Sequence, residues 1–262
     1  MRICVLGSGS KGNATYIESG ETAVLIDCGF SGKETAKRLA AIGVPMERLT
    51  ALLVTHEHID HVKGIGVISR KWHLPVFANH DTVSAAGDIL ARLHDLREIA
   101  TGTAFVIKDL RIHPFAISHD AANPMGFVVQ NHRWRVGYCT DTGTVTKVMG
   151  HRLAGCHCLI LESNHDPELL RTGPYPLYLQ QRIRSKTGHL DNQTAADFLG
   201  ELAHDGLLHV CLAHLSETNN RPEIALRIAT TTLDALTAAG RPRPSIAAAP
   251  QDWLTECVVL RD

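Results

Sequence analysis

Six consecutive residues, His56-Glu57-His58-Ile59-Asp60-His61, carry three imidazoles and two carboxylates. They follow an apolar run from Leu49 to Thr55 that has the length and composition of a buried strand. Histidines two positions apart on an extended turn can converge on one cation, and Asp60 with His61 can then face a second position. Imidazole nitrogen mixed with carboxylate oxygen suits zinc, manganese or iron. A solvated polar turn would have little use for so dense a group at a strand end.

The pattern HxHxDH after Leu-Leu-Val-Thr resembles the signature of the metallo-β-lactamase superfamily. The resemblance implies a four-layered αββα sandwich with metals at one end of its two sheets, and three further ligands downstream. His119 in Ile-Ser-His119-Asp, Asp141 in Tyr-Cys-Thr-Asp141-Thr-Gly and His214 in Cys-Leu-Ala-His214-Leu-Ser match in order. By that matching His56, His58 and His119 hold a first metal, Asp60, His61 and His214 a second, and Asp141 bridges. A surface histidine beside Asp120, and an Asx turn before Gly143, are the plain alternatives for His119 and Asp141. The β-lactamases of the fold carry a cysteine ligand near the position of Asp141, so the aspartate resembles the dinuclear phosphoesterase and glyoxalase branches instead.

Further segments resemble the YycJ (WalJ) subgroup, which is associated with DNA exonuclease activity from the 5′ end. They are Gly7-Ser-Gly-Ser-Lys-Gly12-Asn13, Leu161-Glu162-Ser-Asn164-His165-Asp166, Gly173-Pro-Tyr-Pro176, Gly188-His189-Leu190 and His214-Leu-Ser-Glu-Thr-Asn219-Asn220. In nuclease branches a matching acid and histidine pair beside the metals, which points to Glu162 and His189. A carboxylate that orients an imidazole makes it a usable general acid. Helix capping for His189 and a structural acceptor role for Glu162 stay open, as does a hydrogen-bonded turn for His165 and Asp166.

Substrate contacts are expected from Ser8, Ser10 and Asn13 in the glycine loop, from Asn164, and from Arg182 and Arg184. The loop can present backbone N–H groups to a phosphate, or be a plain turn. Arg171, Arg182, Arg184 and Lys186 interleave with Tyr175 and Tyr178, a mixture that can grip phosphates and stack on bases, or form a solvated helix face.

Elements must deliver these residues to one place. Strands are expected at Ile3 to Leu6, Ala14 to Glu18, Val24 to Asp27, Pro75 to Ala78, Arg135 to Thr140, Leu159 to Glu162 and Leu207 to Ala213, with several between Ala104 and Val129. Helices are expected over 32–42, 61–72, 81–93, 192–202 and 222–239, with His189 opening a helix in Gly-His-Leu-Asp-Asn-Gln. Strands flanked by helices argue for a layered α/β sandwich, a single domain over 1–262. Of the 262 residues 44% are hydrophobic, enough for a large core, while a net charge of −1 means that any nucleic-acid contact must be a local basic patch.

The seven cysteines are odd in number, lie mostly in apolar runs and form no CxxC pair, so all are expected as free buried thiols. The apolar start is too short for a secretory leader and no run approaches spanning length, so the expected location is cytoplasmic, without a membrane partner.

Together these readings imply a two-metal phosphodiesterase, a 5′–3′ exonuclease on DNA. It would hold two zinc, manganese or iron ions and attack with a metal-bridging hydroxide that Asp60 or Asp141 orients, while His189 protonates the leaving oxygen. A small-molecule hydrolase of the same fold, acting on a cyclic phosphodiester or a glutathione thioester, is the alternative. A non-catalytic metal-binding module would need neither Glu162 nor His189.

Overall fold

The computed structural model describes every residue except Ala239, Arg241, Trp253 and Asp262. Its strands run β1 Arg2–Gly7, β2 Ala14–Ser19, β3 Thr22–Ile26, β4 Ala51–Leu53, β5 Pro75–Ala78, β6 Asp95–Glu98, β7 Phe105–Ile107, β8 Leu110–Ala116, β9 Met125–Gln130, β10 Arg135–Cys139, β11 Cys158–Glu162, β12 His209–Ala213, β13 Ser245–Ala248 and β14 Val258–Val259. The helices are α1 Gly32–Ala41, α2 Ile59–Val62, α3 Ile65–Trp72, α4 His80–Ala86, α5 Lys147–Leu153, α6 Pro167–Thr172, α7 Leu177–Ile183, α8 Asn192–Leu202 and α9 Pro222–Ala238.

Two mixed sheets result, ordered β14-β1-β2-β3-β4-β5-β6 and β13-β12-β11-β10-β9-β8-β7 among the described residues. Thr22-Ala-Val-Leu-Ile26 is apolar on both faces because both faces are covered. Val24 and Ile26 point between the sheets, towards Ile112, Phe127 and Ile160. Ala23 and Leu25 point outward, to a layer with Leu39 of α1 and Ile65 and Ile68 of α3. β11 repeats this: Cys158 and Ile160 face inward, while Leu159 and Leu161 meet Met149, Phe198 and Leu199 of α5 and α8. A strand buried on both sides reads as a continuous apolar run, and here that property creates the αββα layering.

Several expected boundaries shift for local reasons. The helix expected over 61–72 is two helices, because at Gly64 the chain docks on the Cys28 to Phe30 turn: the Gly64 N–H donates to the Cys28 carbonyl at 2.8 Å, and a Cβ there would press on the Phe30 carbonyl oxygen. The helix expected over 81–93 ends at Ala86, where Gly87 takes a left-handed φ of 53°. His189 precedes α8, which starts after Asp191, whose carboxylate accepts from the Gln193 and Thr194 N–H groups. The end expected for the last helix, Ala239, lies outside the described residues. The polar strand β6 and the short β13 and β14 carry no periodic apolar signal; pairing with neighbours makes them strands.

The cysteine expectation needs correction. Cys4 on β1 and Cys257 beside β14 form a disulfide, with Cα atoms 4.5 Å apart, while Cys28, Cys139, Cys156, Cys158 and Cys211 are free. The antiparallel pairing of Arg2 with Val259 and Ile3 with Val258 brings the two sulfurs together across 253 positions of sequence, which no local pattern announces. Among the described residues no helix is long and apolar enough to cross a membrane.

Alkylation of unfolded, unreduced protein should therefore label five thiols, and all seven after reduction. Cys257→Ser should destabilise the fold by about 2–4 kcal/mol, the usual size for a disulfide closing a long loop, read as a lower denaturant midpoint. Labelling of all seven without reductant would remove the crosslink.

Candidate metal centre

Strand direction gathers the site. β3 and β4 are parallel, as are β10, β11 and β12. β8 shares the direction of β10 because both are antiparallel to β9. Their carboxyl ends open at one edge of the sandwich. Asp27 follows β3, His56 follows β4, His119 follows β8, Asp141 follows β10, Glu162 ends β11 and His214 follows β12. Asp27, Asp141 and His214 adopt φ of 59°, 59° and 54°. The left-handed region costs a non-glycine residue about 1–2 kcal/mol. Three such residues at one strand edge mark a place where packing enforces strain, a feature that concentrates at functional sites.

Four overlapping groups form there, with ligand atoms in each lying within 4.8 Å of one another: His56, His58 and His119; His56, His61 and Asp141; Asp60, His61 and His214; and Asp141, Glu162, His189 and His214. All seven residues expected as ligands are thus brought together, and Glu162 and His189 adjoin them.

Four of the five imidazoles, those of His61, His56, His119 and His214, are aimed by a bond on the far nitrogen. His61 Nδ1 lies 2.8 Å from Asp27 Oδ2, and Thr55 donates to the same carboxylate through its N–H (2.9 Å) and its hydroxyl (2.8 Å). His56 Nδ1 meets the Thr55 hydroxyl at 2.9 Å and His119 Nδ1 the Gly188 carbonyl at 3.2 Å. His214 Nδ1 is 3.2 Å from Glu162 Oε1. The opposite nitrogens converge. His61 Nε2 stands 3.5 Å from Asp141 Oδ2, and His214 Nε2 3.3 Å from Asp141 Oδ1. His56 Nε2, His214 Nε2 and Asp141 Oδ2 are buried and have no hydrogen-bond partner. Buried polar atoms in proteins are mostly satisfied, so three unpartnered atoms facing one point fit a cation, and a mixed nitrogen and carboxylate set suits a divalent one.

The electrostatics agree. Burial pushes Asp141 towards neutrality, but His214, His61 and His119 outweigh it and hold its carboxyl below the usual range. Burial likewise opposes charge on His61, yet Asp141, Asp27 and Asp60 lift it to about 9. His214 is raised well above its ordinary value against burial by Asp141, Asp60 and Glu162. His56, buried among other imidazoles, is driven well below its usual value. The carboxylates thus demand nearby positive charge, from protons on His61 and His214 or from metal that replaces them.

Glu162 is held at both oxygens. Oε1 lies 2.7 Å from His189 Nδ1, and Oε2 accepts from the Thr142 and Leu190 N–H groups at 2.9 and 3.1 Å. Burial works against its charge, but His189 and His214 keep the carboxyl ionised below its normal range. The His189 side chain keeps 19% exposure where that of Glu162 has none.

The expected substrate contacts divide. Ser8 and Asn13 are buried in the wall: the Ser8 hydroxyl donates to Asn13 Oδ1 and accepts from the His214 N–H, and Asn13 Nδ2 is 3.1 Å from His61 Nε2. Asn164 Nδ2 donates to the His214 carbonyl at 2.8 Å. These three shape the site from within; Ser10 is exposed on the loop above. Arg182 pairs with Asp120 at 2.6 Å, beside His119, and Arg184 lines a cavity with His165 and His189. Arg171 is spent on Glu168. Asp166 caps α6, and His165 belongs to none of the four ligand groups. Asp27 escaped the sequence reading; its signal is a carboxylate closing a fully apolar strand just before Cys28-Gly29. At Gly29 a Cβ would overlap the Asp60 carbonyl oxygen, so glycine lets the two metal-side turns meet.

Asp27→Ala should weaken metal binding about 10–100-fold, the usual loss when the partner of a ligating histidine is removed, measured as metal per chain after dialysis against a graded chelator. Asp141→Ala should lose at least one ion. Full retention in both variants would refute this arrangement.

A sequence model of the β-lactamase superfamily domain matches residues 22–214. The exodeoxyribonuclease YycJ of Bacillus anthracis is 37% identical over 227 residues, 86% of each chain. The exodeoxyribonuclease WalJ of Streptococcus pneumoniae is 35% identical over 225 residues, 84% of each. Among solved structures, the metallo-β-lactamase fold protein YhfI of Bacillus subtilis superposes with a TM-score of 0.73 at 16% identity, covering 97% of this chain and 98% of its own. The short form of human tRNase Z gives 0.65 at 16%, covering 99% and 100%. With its histidines and aspartates gathered on the carboxyl edge of a double sheet, and with that match across most of its length, the chain belongs to the metallo-β-lactamase superfamily.

Proposed function

We propose that this chain hydrolyses phosphodiester bonds in DNA as a two-metal exonuclease working from the 5′ end. It is a metal-dependent hydrolase, and the two relatives described above bear the name exodeoxyribonuclease over most of their length. The observation that carries the reading is the Glu162–His189 pair, a fixed carboxylate holding a partly exposed imidazole at the rim of the ligand cluster.

His56, His58 and His119 would hold one cation and Asp60, His61 and His214 the other, with Asp141 shared; zinc, manganese and iron all suit these donors. Such cations supply hydroxide at neutral pH and offset the charge that builds on the phosphate. Asp60, whose side chain is 18% exposed, orients the attacking water. Glu162 is ionised and accepts only, so the proton on Nδ1 of His189 points at it and Nε2 faces the substrate. His189 would carry a second proton on Nε2, pass it to the departing sugar oxygen, and be left as the neutral imidazole that keeps its Nδ1 proton on Glu162. Glu162 cannot swing away, because two backbone N–H groups hold its second oxygen.

The turn after α7 packs on the same rim: the Ser118 hydroxyl donates to the Lys186 carbonyl, and the Asp120 N–H to that of Thr187. Arg184, which lines the cavity with His189, and Arg182, which would exchange Asp120 for a phosphate, would hold the strand here. Tyr178, 72% exposed and four residues before Arg182 on the same helix, offers a ring for base stacking.

His189→Ala should retain its metal yet lose roughly a hundredfold or more in rate on DNA. The loss should shrink on bis(p-nitrophenyl) phosphate, whose leaving group needs no proton; an equal loss on both would make His189 a positioning residue. A panel of 5′- and 3′-blocked DNA and RNA strands, a cyclic phosphodiester and a glutathione thioester, each with zinc or manganese, tests the substrate. Rapid turnover of a small ester with oligonucleotides left intact would replace this reading with the small-molecule one.

A further inference from the structure

The far end of the second sheet carries a different cluster. β10 ends just before Asp141 but begins at Arg135, so Arg135 lies at the opposite end of that strand. A cavity of about 210 Å³ opens there between the outer face of the sheet and the end of α5. It is lined by His113 of β8, Val128 of β9, Arg135, and His151, Arg152 and Ala154. Arg111 joins it by donating from Nε to His113 Nε2 at 3.1 Å.

No carboxylate lines this cavity, and among the described residues Arg111, Arg135 and Arg152 form no ion pair. That is unlike Arg38, Arg48, Arg97, Arg171, Arg182 and Arg243, each matched to an acid. In a chain of net charge −1, composition does not force three arginines together without a counter-charge. Arg135 Nη2 donates to the Arg152 carbonyl at 3.2 Å, while its buried Nε, beside the Cys156 thiol, meets no oxygen or nitrogen acceptor, and a buried donor without a good acceptor is costly. His113 is held below its usual value, first by burial and then by Arg111, Arg152 and Arg135, so it is a neutral imidazole that can still donate. Like charges crowded in a half-buried space repel, and a bound anion turns that repulsion into attraction.

We propose that this cavity is an oxyanion site that takes a phosphate group, held by the guanidinium groups of Arg135 and Arg152, with His113 and His151 as hydrogen-bonding partners. Its size fits the assignment: about 210 Å³ is smaller than the ~300–1,000 Å³ of sites that enclose whole organic ligands, so the phosphate enters and whatever carries it stays outside. The carrier is either free phosphate or the backbone of a nucleic-acid strand, and the chemistry of recognition is the same for both.

The test titrates the full-length, metal-loaded protein with inorganic phosphate by calorimetry, beside the Arg135→Gln/Arg152→Gln double variant and Arg152→Gln alone. The single variant decides the matter if loss of both arginines harms folding. The wild type should bind one phosphate per chain more than the double variant, and Arg152→Gln should weaken that phosphate at least tenfold, with metal content unchanged in each. A single-stranded oligonucleotide then separates the carriers. If a backbone phosphate occupies the site, the slope of log K against log salt should flatten by about 0.7 per lost contact. An unchanged slope with lost phosphate binding assigns free phosphate. Folded variants that bind phosphate with wild-type stoichiometry and affinity would overturn the proposal.

Discussion

Asp141 is 2% exposed, stands in a left-handed conformation at the end of β10, and faces His61 and His214 across 3.5 and 3.3 Å. An ionised carboxylate so deep in a protein persists only where positive charge is held against it. Much of the surrounding architecture meets that condition. Asp27 and Thr55 aim His61, Glu162 and Asn164 aim His214, and Ser8 and Asn13 close the wall behind both. Each outer group is itself satisfied by backbone or hydroxyl, so the inner atoms keep their places.

Rigidity of this kind depends on chain segments far apart in sequence. The loop that carries Ser8 and Asn13 is pinned by the segment after β13: Ser8 N–H donates to the Pro250 carbonyl, Lys11 N–H to Gln251 Oε1, and Gln251 Nε2 to the Gly12 carbonyl. Arg38 of α1 ties the same region by donating to the carbonyls of Leu6 and Gln251. The Cys4–Cys257 crosslink lies next along this strap. The carboxyl terminus of the chain thus helps to aim histidines delivered by the middle of it.

The two sheets separate tasks along one axis. Their carboxyl edge gathers carboxylates and imidazoles that suit cations, and the start of β10 gathers arginines that suit anions. Between them lies a core that is apolar on both faces of each central strand. A core of this density transmits little motion, so the two charged ends are independent in position and held in fixed register by the same strands.

His56-Glu-His58-Ile-Asp60-His61 could be read as a metal motif because its ligands are adjacent in sequence and follow an apolar strand. The apolar strands β3 and β11 are legible because burial on two faces leaves nearly unbroken hydrophobic runs, and that suffices for a layered α/β sandwich. His119, Asp141 and His214 were placed by resemblance, since a single histidine or aspartate after a strand has no local signature. Tertiary structure alone decided the rest. Asp27 acquires its role only because β3 and β4 run parallel and bring it to His61. Ser8, Asn13 and Asn164 turn inward because loops distant in sequence bury them. Cys4 finds Cys257 through the pairing of β1 with β14. Interactions between residues close in sequence leave a pattern in the chain, whereas those created by strand pairing and layer packing leave none until the fold brings the partners together.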